Sequence, residues 1–201
     1  CLMISFVLGN GKSRKQFNVK HYKKYGDIYG CNAIYRDEVV DYLIAVDPPM
    51  AQEVIDNNAH LNTTFYTRDN KRFRGIENVN FPSKHLGWSS GPTALWIASN
   101  RKPKIIFIAG FDFASANESL NNLYGNTTNY KDSNSPATYF GNWIKQTQLI
   151  IRDNPNIQYY RVITNEHKFS PKEYYRYENF SNISYEKMNE KLKTVRFEPV
   201  S

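Results

Sequence analysis

Directly after the apolar run Met3–Leu8, the sequence places two glycines around an asparagine and follows them with a lysine and a serine: Gly9-Asn10-Gly11-Lys12-Ser13. Glycine has no Cβ, so its backbone N–H groups can approach an anion closely; Asn10 and Ser13 add side-chain donors, and Lys12 adds charge. Neither familiar phosphate loop fits. A P-loop would need glycine where Phe6 stands, and a dinucleotide fingerprint would need a third glycine where Arg14 stands. Similar groups recur further along, in Cys31-Asn32, Asp47-Pro48-Pro49, Ser89-Ser90-Gly91 and Gly110-Phe111-Asp112-Phe113. The Ser89-Ser90-Gly91 stretch opens an apolar segment, the kind of helix N-terminus that receives a phosphate or carboxylate. His85, in PSKHLGWSSG, lies a few residues ahead of it, and a neutral imidazole takes up a proton near pH 7. His21, His60 and His167 have no comparable surroundings. The chain contains no Asp-x-Asp, so it offers no ready carboxylate pair for Mg²⁺ beside a diphosphate, and no metal ligand is expected.

The elements that must position these groups follow from the apolar pattern. Met3–Leu8, Tyr42–Val46, Lys104–Ala109 and Ile157–Ile163 read as strands buried on both faces, with Asp27–Cys31 a weaker fifth and Thr64–Thr67 a sixth. Pro48–Asn57, Pro92–Asn100 and Tyr139–Arg152 read as the helices between them. Asp47 and the Ser-Ser-Gly stretch supply cap residues, each with an early proline. Strands alternating with helices predict an α/β chain: a single Rossmann-like domain with a mostly parallel sheet and helices on both faces. In such sheets ligands sit beyond the carboxyl ends of the strands, where the polar clusters fall. The domain is expected over residues 1–167. Within it, residues 114–137 form a long polar lid loop, and residues 168–201 form a Tyr-rich appendage packed on the domain and ending in a helix, Tyr185–Lys193.

The 201 residues suit one domain, and 40% hydrophobic residues suffice for a core. A net charge of +7 favours an anionic partner. Two basic-aromatic stretches stand out. One of them, Thr67–Phe81, carries Arg68, Lys71, Arg72 and Arg74 around Phe73, a pattern that can track a nucleic-acid backbone or hold an acidic glycan. The other, Tyr174–Phe180, is aromatic with one arginine. Cys1 and Cys31 have no metal-type or disulfide spacing, and no apolar run approaches about 18 residues, so a reduced, cytoplasmic protein is expected. Met3 reads as the natural start.

Taken in order, Gly9-Asn10-Gly11-x-Ser13, Cys31-Asn32, Asp47-Pro48, Ser90-Gly91 and IIFIAGFDF resemble the bacterial sialyltransferases of glycosyltransferase family 42. They are also similar to the MptE-like and motility-associated glycosyltransferase group. The resemblance runs from about Met3 to Asp112. It implies metal-independent transfer of a sugar from a nucleotide donor, classically CMP-linked, to an acceptor hydroxyl, with no further cofactor. On the matching positions, Gly9, Asn10, Gly11 and Ser13 would approach the phosphate and Asn32 the nucleotide, while Asp47 stands where the family often has Asn. Ser89, Ser90, Gly91, Gly110 and Asp112 would line the base and ribose. The family's lid supplies a histidine base and tyrosines for the leaving phosphate. Here Thr138 stands near the place of the former, and Ala114 and Leu120 occupy the positions of the latter. The catalytic candidates are therefore His85, Tyr124 and Tyr130. Expected partners are a nucleotide sugar and an anionic acceptor, a glycan or a nucleic acid met through Arg68, Lys71, Arg72 and Arg74; a homo-oligomer is compatible with the sequence. Two alternatives are a non-catalytic nucleotide- or nucleic-acid-binding protein on the same scaffold and an MptE-like diphosphokinase.

Overall fold

A computed structural model describes residues 3–113, 122–125, 127–128 and 141–195. Eight strands form one sheet, and every pairing among the described residues is parallel. In chain order they are β1 (Ile4–Leu8), β2 (Asp27–Cys31), β3 (Tyr42–Ile44), β4 (Thr64–Tyr66), β5 (Val79–Asn80), β6 (Ile105–Ala109), β7 (Gln158–Val162) and β8 (Phe180–Ile183). Their spatial order is β5-β4-β3-β2-β1-β6-β7-β8. The chain thus lays strands outward from β1 to one edge, returns, and lays the rest outward from β6. The expected Rossmann-like α/β domain is what forms, and the reversal of direction falls between β1 and β6.

The apolar runs explain the layering. In β1, Ile4, Phe6 and Leu8 face one layer and Val7 the other; in β6, Phe107 and Ala109 share the first layer and Ile106 and Ile108 the second. The first layer is closed by α1 (Val19–Tyr22), α2 (Pro48–Asp56) and α5 (Tyr185–Thr194), through Val19, Met50, Val54, Met188 and Leu192. The second is closed by α3 (Ser90–Asn100) and α4 (Gly141–Asp153), through Leu95, Ile97, Ile150 and Ile151. Helices therefore cover both faces.

Two strands escaped the sequence reading, β5 and β8. Both lie at sheet edges, where the pattern is short or half polar: β8 is Phe-Ser-Asn-Ile with Ser181 exposed. Within the stretch expected as an appendage, β8 extends the sheet and α5 packs on the first layer. Helix α5 starts at Ser184, whose hydroxyl accepts from the Lys187 N–H at 3.1 Å. Replacing that cap, Ser184→Ala, is expected to lower the unfolding free energy by about 1 kcal/mol, read as a lower urea midpoint at unchanged slope. Asp47 and Ser89 also stand at N-cap positions, of α2 and α3, but neither side chain makes the cap bond.

Candidate functional site

The crossover between β1 and β6 is held by main chain. Gly9 N–H donates to Ala109 O at 2.8 Å, and Gly11 N–H donates to Gly110 O at 3.0 Å. The approach is so close that a Cβ on Gly9 would stand 2.6 Å from Gly110 O, and Gly110 itself adopts φ +77°. Only glycine accommodates that pairing. Three residues on, Phe113 is held at φ +60°, and Asn32 at the end of β2 sits at φ +52°. Left-handed backbone costs most at a bulky residue such as Phe113; Asn58, Asn78 and Lys102, ahead of β4, β5 and β6, adopt it as well.

On this frame the strand-end groups meet. Asn10 donates its amide to Cys31 O at 3.0 Å, tying the end of β1 to that of β2. The Asp112 carboxylate accepts from the Ser13 N–H at 3.1 Å and from the Ser13 hydroxyl, tying β1 to β6. Ser90 accepts from the Val46 N–H and donates to Asn32 Oδ1, both at 3.0 Å, tying α3 to β3 and β2. Groups from four strand ends and one helix start thus occupy a single rim. They are largely turned toward one another: Asn10, Ser13, Ser90 and Asp112 are all buried. Gly91 lies under Trp143 and Phe111, within the α3–α4 packing rather than at an opening. Asp47 is exposed, and Asn32 and Ser89 are half-buried. Burial pushes the Cys31 thiol up to about 12, so it stays protonated and unreactive.

One open space lies immediately beside this cluster, and a larger one of about 430 Å³ lies on the side of Tyr185. A cavity of about 220 Å³ is bounded by Val46, Arg68, Lys84, His85, Trp88 and Thr93. It reaches the cluster through Val46, whose N–H is the one Ser90 accepts, and through Trp88, two residues before Ser90. Arg68 is fixed by a bond from Nη2 to Trp88 O at 3.1 Å. Asp69 lines the same cavity; its carboxyl is held below the usual range chiefly by its hydrogen bond from Arg74, with smaller help from the charges of Arg74 and His85. His85 is exposed at the mouth. The cavity therefore presents an indole, an imidazole, two cations and the Asp69 carboxylate, which Arg74 pairs.

The basic stretch is partly occupied within the fold. Arg74 forms a two-pronged pair with Asp69 at 2.7 and 2.8 Å, Arg72 lies over Phe73, and Phe73 is anchored in the core. Lys71 remains exposed. Of the tyrosine candidates, Tyr124 is buried at the rim, its hydroxyl accepting from Arg14 at 3.2 Å, while Tyr130 and most of the lid lie outside the described residues.

Several rim residues gave no sequence signal. His167, expected to be unremarkable, brings Nδ1 within 3.8 Å of Asp112 Oδ2. Arg161, on β7, is buried and reaches Phe111 O at 2.8 Å. Tyr185, opening α5, donates to Ser13 O at 2.6 Å. Arg161 alone could have been singled out, as a charge inside a buried strand. Among the described residues, no three His, Cys, Asp or Glu side chains group as metal ligands, and no helix is long and apolar enough to cross a membrane. No family model, curated protein or solved structure matches the chain, so its chemistry is argued from this rim.

Proposed function

We propose that this protein is a glycosyltransferase that takes a sugar from a pyrimidine-nucleotide donor, CMP-linked, without a metal ion. The observation that carries the reading is the meeting of strand-end groups at the β1/β6 crossover beside a cavity walled by Arg68, Lys84, His85 and Trp88. At about 220 Å³ it lies below the roughly 300–1,000 Å³ usual for drug-sized ligands, so it would take one part of a nucleotide rather than a whole nucleotide sugar. Trp88 supplies a face for a base, and Arg68 and Lys84 supply charge for a phosphate.

In the proposed reaction the bond from the anomeric carbon to the phosphate oxygen breaks, and its electron pair leaves with the phosphate. The acceptor hydroxyl oxygen adds to that carbon, and its proton passes to the His85 imidazole. Fixed cations that meet charge as it develops on the leaving group need no reorganisation at that moment. The nucleic-acid alternative is less well supported, since Arg74 is paired with Asp69 and Phe73 is held in the core, unavailable for stacking.

Calorimetry with CMP, UMP and GMP tests the reading. CMP is expected to bind most tightly, and EDTA is expected to leave both its binding and donor turnover unchanged. Absence of heat with every nucleotide at millimolar concentration would end the proposal. Arg68→Ala should weaken CMP binding about tenfold, the loss of one charge-assisted bond, and flatten its salt dependence.

A further inference from the structure

Arg14 follows the Gly9–Ser13 turn and is buried beneath the rim, at 6% exposure. Its guanidinium is poorly provided for. Nη2 donates to Asn10 Oδ1 and to the Tyr124 hydroxyl, both at a long 3.2 Å, and Nε is buried with no partner. Among the described residues it forms no ion pair. The Tyr124 phenol keeps its proton: burial, reinforced by exposed Asp37, pushes its pKa up to about 12. A guanidinium taken out of water without an anion carries a large desolvation penalty, and native interiors rarely leave one so.

The surroundings are those of a receptor for an oxyanion. Asn10 is locked in place by its own bond to Cys31 O, and the Leu123 N–H donates to Asn10 O at 2.8 Å, seating the 122–125 turn over the pair. The Tyr124 hydroxyl is thereby one of the two oxygens that face the guanidinium, with Asn10 Oδ1, at the carboxyl end of β1 beside the crossover.

We propose that Arg14 is the anchor of an oxyanion-binding site, taking a phosphate oxygen in the place the Tyr124 hydroxyl occupies. The identity of that phosphate as part of a nucleotide donor rests on the reading above; the anion site does not.

Thermal unfolding of the full chain in sodium phosphate, against sodium chloride of equal ionic strength, is the test. Wild-type protein is expected to gain about 3–6 °C at ten times the phosphate Kd. Arg14→Met is expected to melt no lower than wild type in chloride, because it removes an uncompensated charge, and to lose the phosphate response. Tyr124→Phe removes the competing oxygen and is expected to bind phosphate about threefold or more tightly. A wild type indifferent to phosphate would overturn the proposal, as would an Arg14→Met protein that keeps the full response or melts well below wild type in chloride. Should Arg14→Met not fold, Tyr124→Phe decides: a lower melting temperature with an unchanged phosphate response makes the Arg14–Tyr124 contact purely structural. A phosphate response that depends on Arg14 in a protein that binds no CMP would leave the anion site standing and remove the nucleotide reading.

Discussion

Arg161→Ala is expected to lower the unfolding free energy by about 3–5 kcal/mol, the range for breaking a buried charged network. The side chain is 1% exposed and joins three parts of the chain. Nη1 donates to Phe111 O at 2.8 Å, Nε to Asn182 Oδ1 at 3.2 Å, and Nη2 to Phe169 O, while the guanidinium lies 5.1 Å over the Phe113 ring. It thus fixes the strained end of β6 to β8 and to the segment between β7 and β8. Burial pulls its pKa down to about 10, and the Asp112 charge opposes that pull. Alanine would leave two carbonyl oxygens and an amide oxygen without donors, and a void where the stem ran. Urea unfolding should show the loss as a lower midpoint. A change below 1 kcal/mol would mean that water or neighbouring groups replace the guanidinium without penalty.

The layers of this fold were legible because β1 and β6 are apolar on both faces, which only a covered parallel sheet requires. The crossover was legible for a related reason. Gly9 and Gly110 lie directly after those strands, and the close approach that excludes a Cβ leaves glycine as its trace. Asn10, Asn32, Ser90 and Asp112 could be read as strand-end or helix-start groups for the same positional reason. What the pattern did not reveal was their orientation. Ser13 and Asp112 satisfy each other, and Trp143, from a helix 50 residues beyond Gly91, covers it. Edge strands β5 and β8 escaped because an edge need not be apolar on both faces. His167 and Tyr185 reach the rim from segments that local pattern does not connect to it. Arg14 was visible only as the residue that spoils a dinucleotide fingerprint, although it is a buried charge with no ion pair among the described residues.

Asp112→Ala is expected to destabilise the fold by about 2–3 kcal/mol and to weaken CMP binding by more than tenfold. The carboxylate is the sole acceptor shown for the Ser13 N–H and hydroxyl, and it stands beside His167 and within the field of Arg161. Removing it leaves a buried N–H and a buried hydroxyl to be desolvated without partners, and it deprives Arg161 of the one carboxylate charge that supports it. The Gly9–Ser13 turn is then anchored to β6 by the glycine N–H bonds alone, so Ser13 and the end of the turn lose their tie to β6. Asp112→Asn separates the two consequences. It keeps an acceptor for the Ser13 N–H, so it should recover part of the stability while leaving Arg161 without its counter-charge. Because Asp112 and Arg161 act on each other, the double variant Asp112→Asn with Arg161→Met should lose less than the sum of the single losses, by about 1 kcal/mol or more. Strict additivity in urea unfolding would show that the two charges are independent. CMP affinity retained in Asp112→Ala would show that the rim does not need this tie to bind.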